Sequence, residues 1–270
     1  MLSHKDSSEI MRIPWTMWMN SNAKNHFIAI IGEFVGTTMF LFLSFAGTSA
    51  AKTAVGTSTA FNPMVMLYVA VIFGLSLMVN VFIFFRVSGG LFNPAVSLGM
   101  AAVGAITPLR AFLLLIAQLS GAMLASELVK VLFPTPFDVK TTLSAGTSLA
   151  QGVFIEAILT AELVFTIFML AKEKHKATYL APVGIGFALF VAELVGVYYT
   201  GGSLNPARSF GPCVVTGKFD TEHWIYWVGP ATGALISVFF YKFVKILEYE
   251  TANPGQDDDH DEAESKSRLA

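Results

Sequence analysis

Apolar residues fall into six long runs, at about 26–47, 64–85, 110–132, 151–171, 178–199 and 223–247. About 20 apolar residues in helical form cross a bilayer, so each run predicts a membrane-spanning helix. The first run carries Gly32 and Gly36, the third Ala117, Gly121 and Ala125, and the sixth Gly229, Gly233 and Ser237. Small residues four apart let helix backbones approach closely in lipid. Three such stripes predict a compact bundle rather than isolated spans.

Two further apolar stretches, 94–104 and 206–215, are too short to cross. Each begins at an Asn-Pro pair. The first lies in Ser88-Gly89-Gly90-Leu91-Phe92-Asn93-Pro94-Ala95, and the second, 112 residues later, in Thr200-Gly201-Gly202-Ser203-Leu204-Asn205-Pro206-Ala207. Asn is a favoured helix N-cap and Pro a favoured first helical residue. Irregular backbone at membrane depth survives only when buried in protein or lining a wet cavity. The pattern therefore predicts two re-entrant half-helices, one between spans two and three and one between spans five and six. The repeat extends further: Gly74 and Gly186 each stand 19 residues before their Asn, and Glu33 with Thr37 is echoed by Glu156 with Thr160 at an offset of 123. An odd number of spans separates equivalent elements, so the halves have opposite topology and the site is expected at the midplane between them. The expected fold class is an all-α membrane protein with six transmembrane helices plus two re-entrant half-helices in an inverted repeat.

Charge sets the orientation. Lys5, Arg12 and Lys24 precede the first span, Arg86 and Arg110 lie between the second and third, Lys172, Lys174 and Lys176 between the fourth and fifth, and Lys242 and Lys245 end the sixth. The opposite side offers little beyond Lys52, Lys140 and Lys218. Positive connections stay inside, so both termini are predicted to be cytoplasmic. The N-terminus does not read as a signal peptide, because Asp6, Glu9 and Pro14 interrupt it. The first span is then expected to act as its own insertion signal.

Composition agrees with a membrane protein: 54% of residues are hydrophobic and 13% charged, against about 25% charged in a soluble domain. Residues 257–264 hold six of the 19 acids, and a near-neutral body with an acidic tail does not suggest a nucleic-acid partner. A single cysteine, Cys213, excludes an intramolecular disulfide and a Cys-rich metal site. The five histidines, at 4, 26, 175, 223 and 260, show no ligand spacing and no nucleophile–base pairing. No enzyme, cofactor or metal is expected.

Over residues 26–247 the chain resembles the major intrinsic protein family, the aquaporins and aquaglyceroporins. The resemblance rests on SGGLFNPAV at 88–96, TGGSLNPARSFG at 200–211, the two Glu-x-x-x-Thr pairs and HWIYWVGP at 223–230. It implies a homotetramer in the lipid bilayer, expected in the plasma membrane, with one pore through each protomer. The expected division is a cytoplasmic N-terminal arm at 1–25, a channel domain at 26–247 with inverted halves at about 26–132 and 151–247, and an acidic disordered tail at 248–270. In the arm, Trp15, Met17, Trp18 and Met19 fit either an interfacial anchor or a cytoplasmic plug. Ser265 and Ser267 in the tail are open to regulation.

Mechanism and selectivity follow from the residues that carry the resemblance. Half-helix N-termini each carry unpaired amides and about half a positive charge, so two meeting at the midplane oppose cations. The pore motifs Asn93, Pro94, Ala95 and Asn205, Pro206, Ala207 would each aim an amide donor into the channel. The resemblance places an outer constriction on Phe73, Glu193, Gly202 and Arg208. Phe73 agrees with water-selective members, as do Ser209 and the Tyr226-Trp227 pair, and Arg208 agrees with almost the whole family. Glu193 departs from the usual histidine, and Gly202 is smaller than usual. Two placements of Glu193 are open: facing Arg208 across the constriction, or turned away to brace loop backbone. Glu33 and Glu156 are expected to brace the chain entering each half-helix, with Thr37 and Thr160 a turn away. Leu91 replaces a common histidine, and Glu162 falls where glutamine is usual. The expected permeant is water, with broader passage of small neutral solutes (hydrogen peroxide, glycerol) as the alternative. A coupled transporter using Glu156, Glu162 and Glu193 as a proton path, and a junctional protein of low conductance, are the rival classes.

Overall fold

The computed structural model describes residues 20–54, 62–144 and 146–253. Trp15, Met17, Trp18, Met19, Ser265 and Ser267 lie outside the described residues. Eight α-helices are described: α1 (Ser21–Ala54), α2 (Pro63–Phe84), α3 (Pro94–Ala102), α4 (Pro108–Leu132), α5 (Leu149–Ile167), α6 (Ala181–Thr200), α7 (Pro206–Thr216) and α8 (Ile225–Ile246). Six are long and apolar enough to cross a membrane, and α3 and α7 are the two half-helices. Proline opens α2, α3, α4 and α7, where its missing N–H costs nothing. The side chains of Asn62, Asn93, Thr107 and Asn205 cap those four helices. At 34 residues, α1 outruns its apolar core. Good helix formers continue it at Ala50 and Ala51, and Lys52 fastens its end to Asp138 at 3.0 Å.

The first four helices repeat in the last four. Helix α1 packs on α4 as α5 packs on α8, and α2 crosses α6 on the axis between the halves. Each half-helix reaches across to the other half: α3 lies against α8 as well as α4, and α7 against α4. The small-residue stripes sit at these crossings. A Cβ on Gly121 would stand 2.7 Å from the Phe34 carbonyl and 3.1 Å from the Thr37 Cβ, while one on Gly233 would stand 2.9 Å from the Thr160 Cβ. Thr37 and Thr160 therefore pack against glycines of the neighbouring span, and neither hydroxyl has a hydrogen-bond partner. On the axis, a Cβ on either Gly74 or Gly186 would come within 2.8 Å of the other's carbonyl oxygen. Only glycine allows that approach.

Two departures from the sequence expectations concern α5. Glu162 lies on its exposed face, because its position falls opposite the stripe that packs on α8, so it joins no buried acid path. The helix also ends in a π-turn, Phe168–Lys172, which delivers Glu173 to the end of α8. The Glu173 carboxylate accepts from Lys172 at 3.0 Å, from Lys245 at 3.1 Å and from the Tyr241 hydroxyl. Burial pushes this carboxyl up, but the donors from Tyr241, Lys172 and Lys245 outweigh it and hold it at about 2. A depressed folded value means that the contribution to stability is present above the ordinary 4.5 and is lost as pH falls towards about 2. The expected outcome is a Glu173→Gln variant that melts below the parent at neutral pH, with a gap that closes on acidification below 4.5. Thermal unfolding in detergent across pH checks this, and a gap independent of pH would contradict it.

Candidate functional site

The chain entering each half-helix is extended, buried and rich in backbone donors that no water reaches. One glutamate serves each segment. Glu33 accepts from Ser88 Oγ at 2.7 Å and Leu91 N at 3.0 Å through Oε1, and from Phe92 N at 2.7 Å and Gln118 Nε2 at 2.8 Å through Oε2. Glu156 accepts from Thr200 Oγ1 at 2.6 Å and Ser203 N at 3.0 Å through Oε1, and from Leu204 N at 2.7 Å through Oε2. With Leu91 in place of a histidine, the first segment is held by its own amide and by Ser88.

Phe92 and Leu204 both have φ of 51°, a left-handed conformation that costs a side-chain-bearing residue about 1–3 kcal/mol. It turns their carbonyls towards the opposite half. Asn205 Nδ2 donates to Phe92 O at 2.9 Å, and Asn93 Nδ2 donates to Leu204 O at 2.8 Å. The Oδ1 atoms cap the half-helices, Asn93 accepting from Ala95 N at 2.9 Å and Asn205 from Ala207 N at 3.0 Å. Pro94 and Pro206 provide the first residues of those helices, and Ala95 and Ala207 are buried behind them. Each asparagine is thus a cap and a cross-tie, and each amide keeps one N–H.

Both asparagines line a narrow cavity between the halves. Its walls pair residues across the repeat: Phe73 with Ile185, Leu77 with Leu189, Leu91 with Ser203 and Val96 with Arg208, each 112 apart, and Phe40 with Leu163, 123 apart. The pairs are not equal in character. Leu91 and Val96 keep the half nearer α3 apolar, while Ser203 and Arg208 make the other half polar.

The profile of the major intrinsic protein family matches residues 20–241. The chain belongs to that family. Aquaporin-5 of Botryotinia fuckeliana is 69% identical over 265 residues, covering 96% of this chain and 49% of the relative. Probable aquaporin-5 of Gibberella zeae is 66% identical over 267 residues, covering 96% of this chain and 49% of its own length. The chain therefore spans about half the length of these relatives. The X-ray structure of the aquaglyceroporin from Plasmodium falciparum superposes with a TM-score of 0.69 at 23% identity, covering 80% of this chain and 95% of that one. That likeness concerns the fold.

In this member of the family, Arg208 is held entirely by backbone. Its Nε donates to Gly202 O at 3.0 Å, Nη1 to Val139 O at 2.6 Å and Nη2 to Gly201 O at 3.3 Å. Its guanidinium lies 5.0 Å from the Phe73 ring centre and 5.5 Å from that of Phe45. The expected partnership of Glu193 with Arg208 is not a direct ion pair among the described residues. Glu193 is fully buried, neither oxygen has a hydrogen-bond partner, and Oε2 occupies the place where a Gly202 side chain would begin. The loop-bracing alternative fails on the same observation, since no backbone amide reaches the carboxyl. Ser209 joins a hydroxyl chain with Thr141 at 2.8 Å and Ser203 at 2.6 Å, which ties the connection after α4 to α7. Tyr226 donates to Thr200 O at 2.8 Å.

Sequence reasoning missed Val139, whose role is played by a carbonyl that any residue supplies. It also missed the apolar lining at Leu77, Val96, Leu163 and Leu189. The offsets of 112 and 123 could have found these by mapping each candidate onto the other half. Two outcomes are expected. Glu156→Gln turns an acceptor into a donor facing buried amides and lowers stability by about 3 kcal/mol, read as a lower unfolding midpoint. Gly202→Ala destabilises more beside Glu193 than beside Glu193→Ala, with a coupling of about 1–2 kcal/mol in a double-mutant cycle. Additive effects would separate the two residues.

Proposed function

We propose that the chain forms a passive water channel that refuses protons and ions, working in the plasma membrane as a homotetramer with both termini cytoplasmic. The observation that carries the reading is the pair of cross-tied asparagines, which leaves Asn93 and Asn205 side by side on the cavity at the meeting point of two half-helix N-termini. A water oxygen there accepts from both remaining N–H groups and turns its own protons outwards, towards the two ends of the file. It has no lone pair free to take a proton from a neighbour, so the file is broken for proton transfer while water passes. The two N-terminal partial charges, each about half a unit, and Arg208 add a positive field against cations, as in other pores of this kind. The apolar walls near α3 offer few side-chain hydrogen bonds, so permeants move through without tight binding. The relatives named aquaporin-5 support the same reading.

Purified protein in liposomes is expected to raise osmotic water flux far above empty liposomes, with a low activation energy and no dependence on an ion gradient. Saturating, gradient-coupled flux would favour a transporter instead, and flux equal to empty liposomes a junctional role. Arg208→Val is expected to keep water flux and to increase proton leak about tenfold, equivalent to ~1.4 kcal/mol of barrier.

A further inference from the structure

The two ends of the bundle differ in charge balance. At the end where α4 finishes and α5 begins, four lysines meet four acids among the described residues. Three of those lysines are in ion pairs, Lys52 with Asp138, Lys130 with Glu127 and Lys140 with Asp220. At the end where α1 begins and α8 finishes, eight lysines and arginines stand against three acids, Glu173, Glu248 and Glu250. Glu173 and Glu250 are already taken up by Lys172 and Lys245. Lys174 and Lys176, on the connection from α5 to α6, are exposed. The Lys174 ammonium lies 5.8 Å from the Phe85 ring centre, which brings the exposed Arg86 beside the same connection. Positive connections orient spans during insertion, and that role alone needs no occupant. A second observation supplies one.

Beyond α8 the chain turns back on the bundle. Glu248 has φ of 53°, a left-handed conformation that persists only when its surroundings hold it. A single 3-10 turn, Tyr249–Thr251, follows. Lys245 holds that turn: it pairs with Glu250, lies 5.2 Å from the Tyr249 ring centre, and also pairs with Glu173 at 3.1 Å. The Tyr249 hydroxyl lies 3.5 Å from the same carboxylate. Glu173 opens the basic connection, so the chain is fastened against that connection as it leaves the fold. Asp257 is four residues beyond Asn253, a distance of at most about 14 Å of extended chain. Residues 257–264 hold six acids and no lysine or arginine. We propose that this acidic segment of the same chain seats on the basic surface formed by Lys174, Lys176 and Arg86. Exposed ion pairs are weak singly, and the short tether offsets this by keeping the partners at about millimolar effective concentration. Ile167, which ends α5, and Ile185, in the first turns of α6, both line the cavity. The connection between them therefore puts the seat near one end of that cavity. The inference holds whatever passes through it.

Lysine acetylation by a soluble reagent, read residue by residue by mass spectrometry, tests the seat on the full chain in nanodiscs of neutral lipid. The parent is compared with a variant carrying Asn at Asp257, Asp258, Asp259 and Asp261 and Gln at Glu262 and Glu264, which leaves every described residue intact. At low salt, Lys174 and Lys176 are expected to react about threefold faster in the variant, the order expected of weak tethered pairs. The difference is expected to vanish at about 1 M salt, where the screening length is about 3 Å. Lys218, at the opposite end, is expected to react equally in both. Equal rates at Lys174 and Lys176 overturn the seat. Protection that appears only when anionic lipid is added, and equally in both proteins, assigns the surface to headgroups and overturns it too. Carbodiimide, which joins a carboxylate to a touching amine, is expected to link residues 257–264 to Lys174 or Lys176 within one chain. Links found only between two chains overturn the intramolecular contact.

Discussion

Everything in this molecule depends on satisfying backbone at a depth where water is absent. A membrane helix satisfies its own amides, but a half-helix must be approached by chain that does not. Glu33 and Glu156 solve that problem with carboxylates placed on the first helix of each half, one turn of α-helix from the threonines that pack on the neighbouring span. With the two segments fixed, their left-handed residues, Phe92 and Leu204, can present carbonyls across the axis. The asparagine cross-ties, the capped half-helices and the cavity between them all follow from that placement.

The inverted repeat is structural where the halves touch and functional where they diverge. Along the axis the equivalent residues are alike: Gly74 with Gly186, Asn93 with Asn205, Pro94 with Pro206. Away from it three apolar residues of the first half, Val81, Leu91 and Val96, become Glu193, Ser203 and Arg208 in the second. Polarity has been concentrated at one end of a symmetric frame. Residues at that end can then change without disturbing the joint that both halves share.

Much of this was legible in the sequence because the signals were doubled. Spans came from run length, half-helices from the two Asn-Pro pairs, and the braces from Glu33 and Glu156 standing in matched surroundings. Other features left no mark. The carbonyl of Val139 that holds Arg208 is chemically the same on any residue. The orientation of the Glu193 carboxyl depended on how its side chain turns, and charge alone suggested Arg208 when the open space was beside Gly202. Glu162 misled because residue type does not say which side of a helix faces the bundle.

The exchange of half-helices between halves has a consequence for biosynthesis. Helix α3 rests on α4 and on α8, and α8 follows the other five described spans in the chain. During synthesis the first half therefore waits with its half-helix packed on α4 but not yet on α8, and insertion of α1, α2 and α4 cannot complete it. The interval between emergence of α4 and of α8 is the period in which the nascent chain most needs shelter from lipid and from other chains. Packing of α3 is complete only when α8 is in place, and is not acquired span by span.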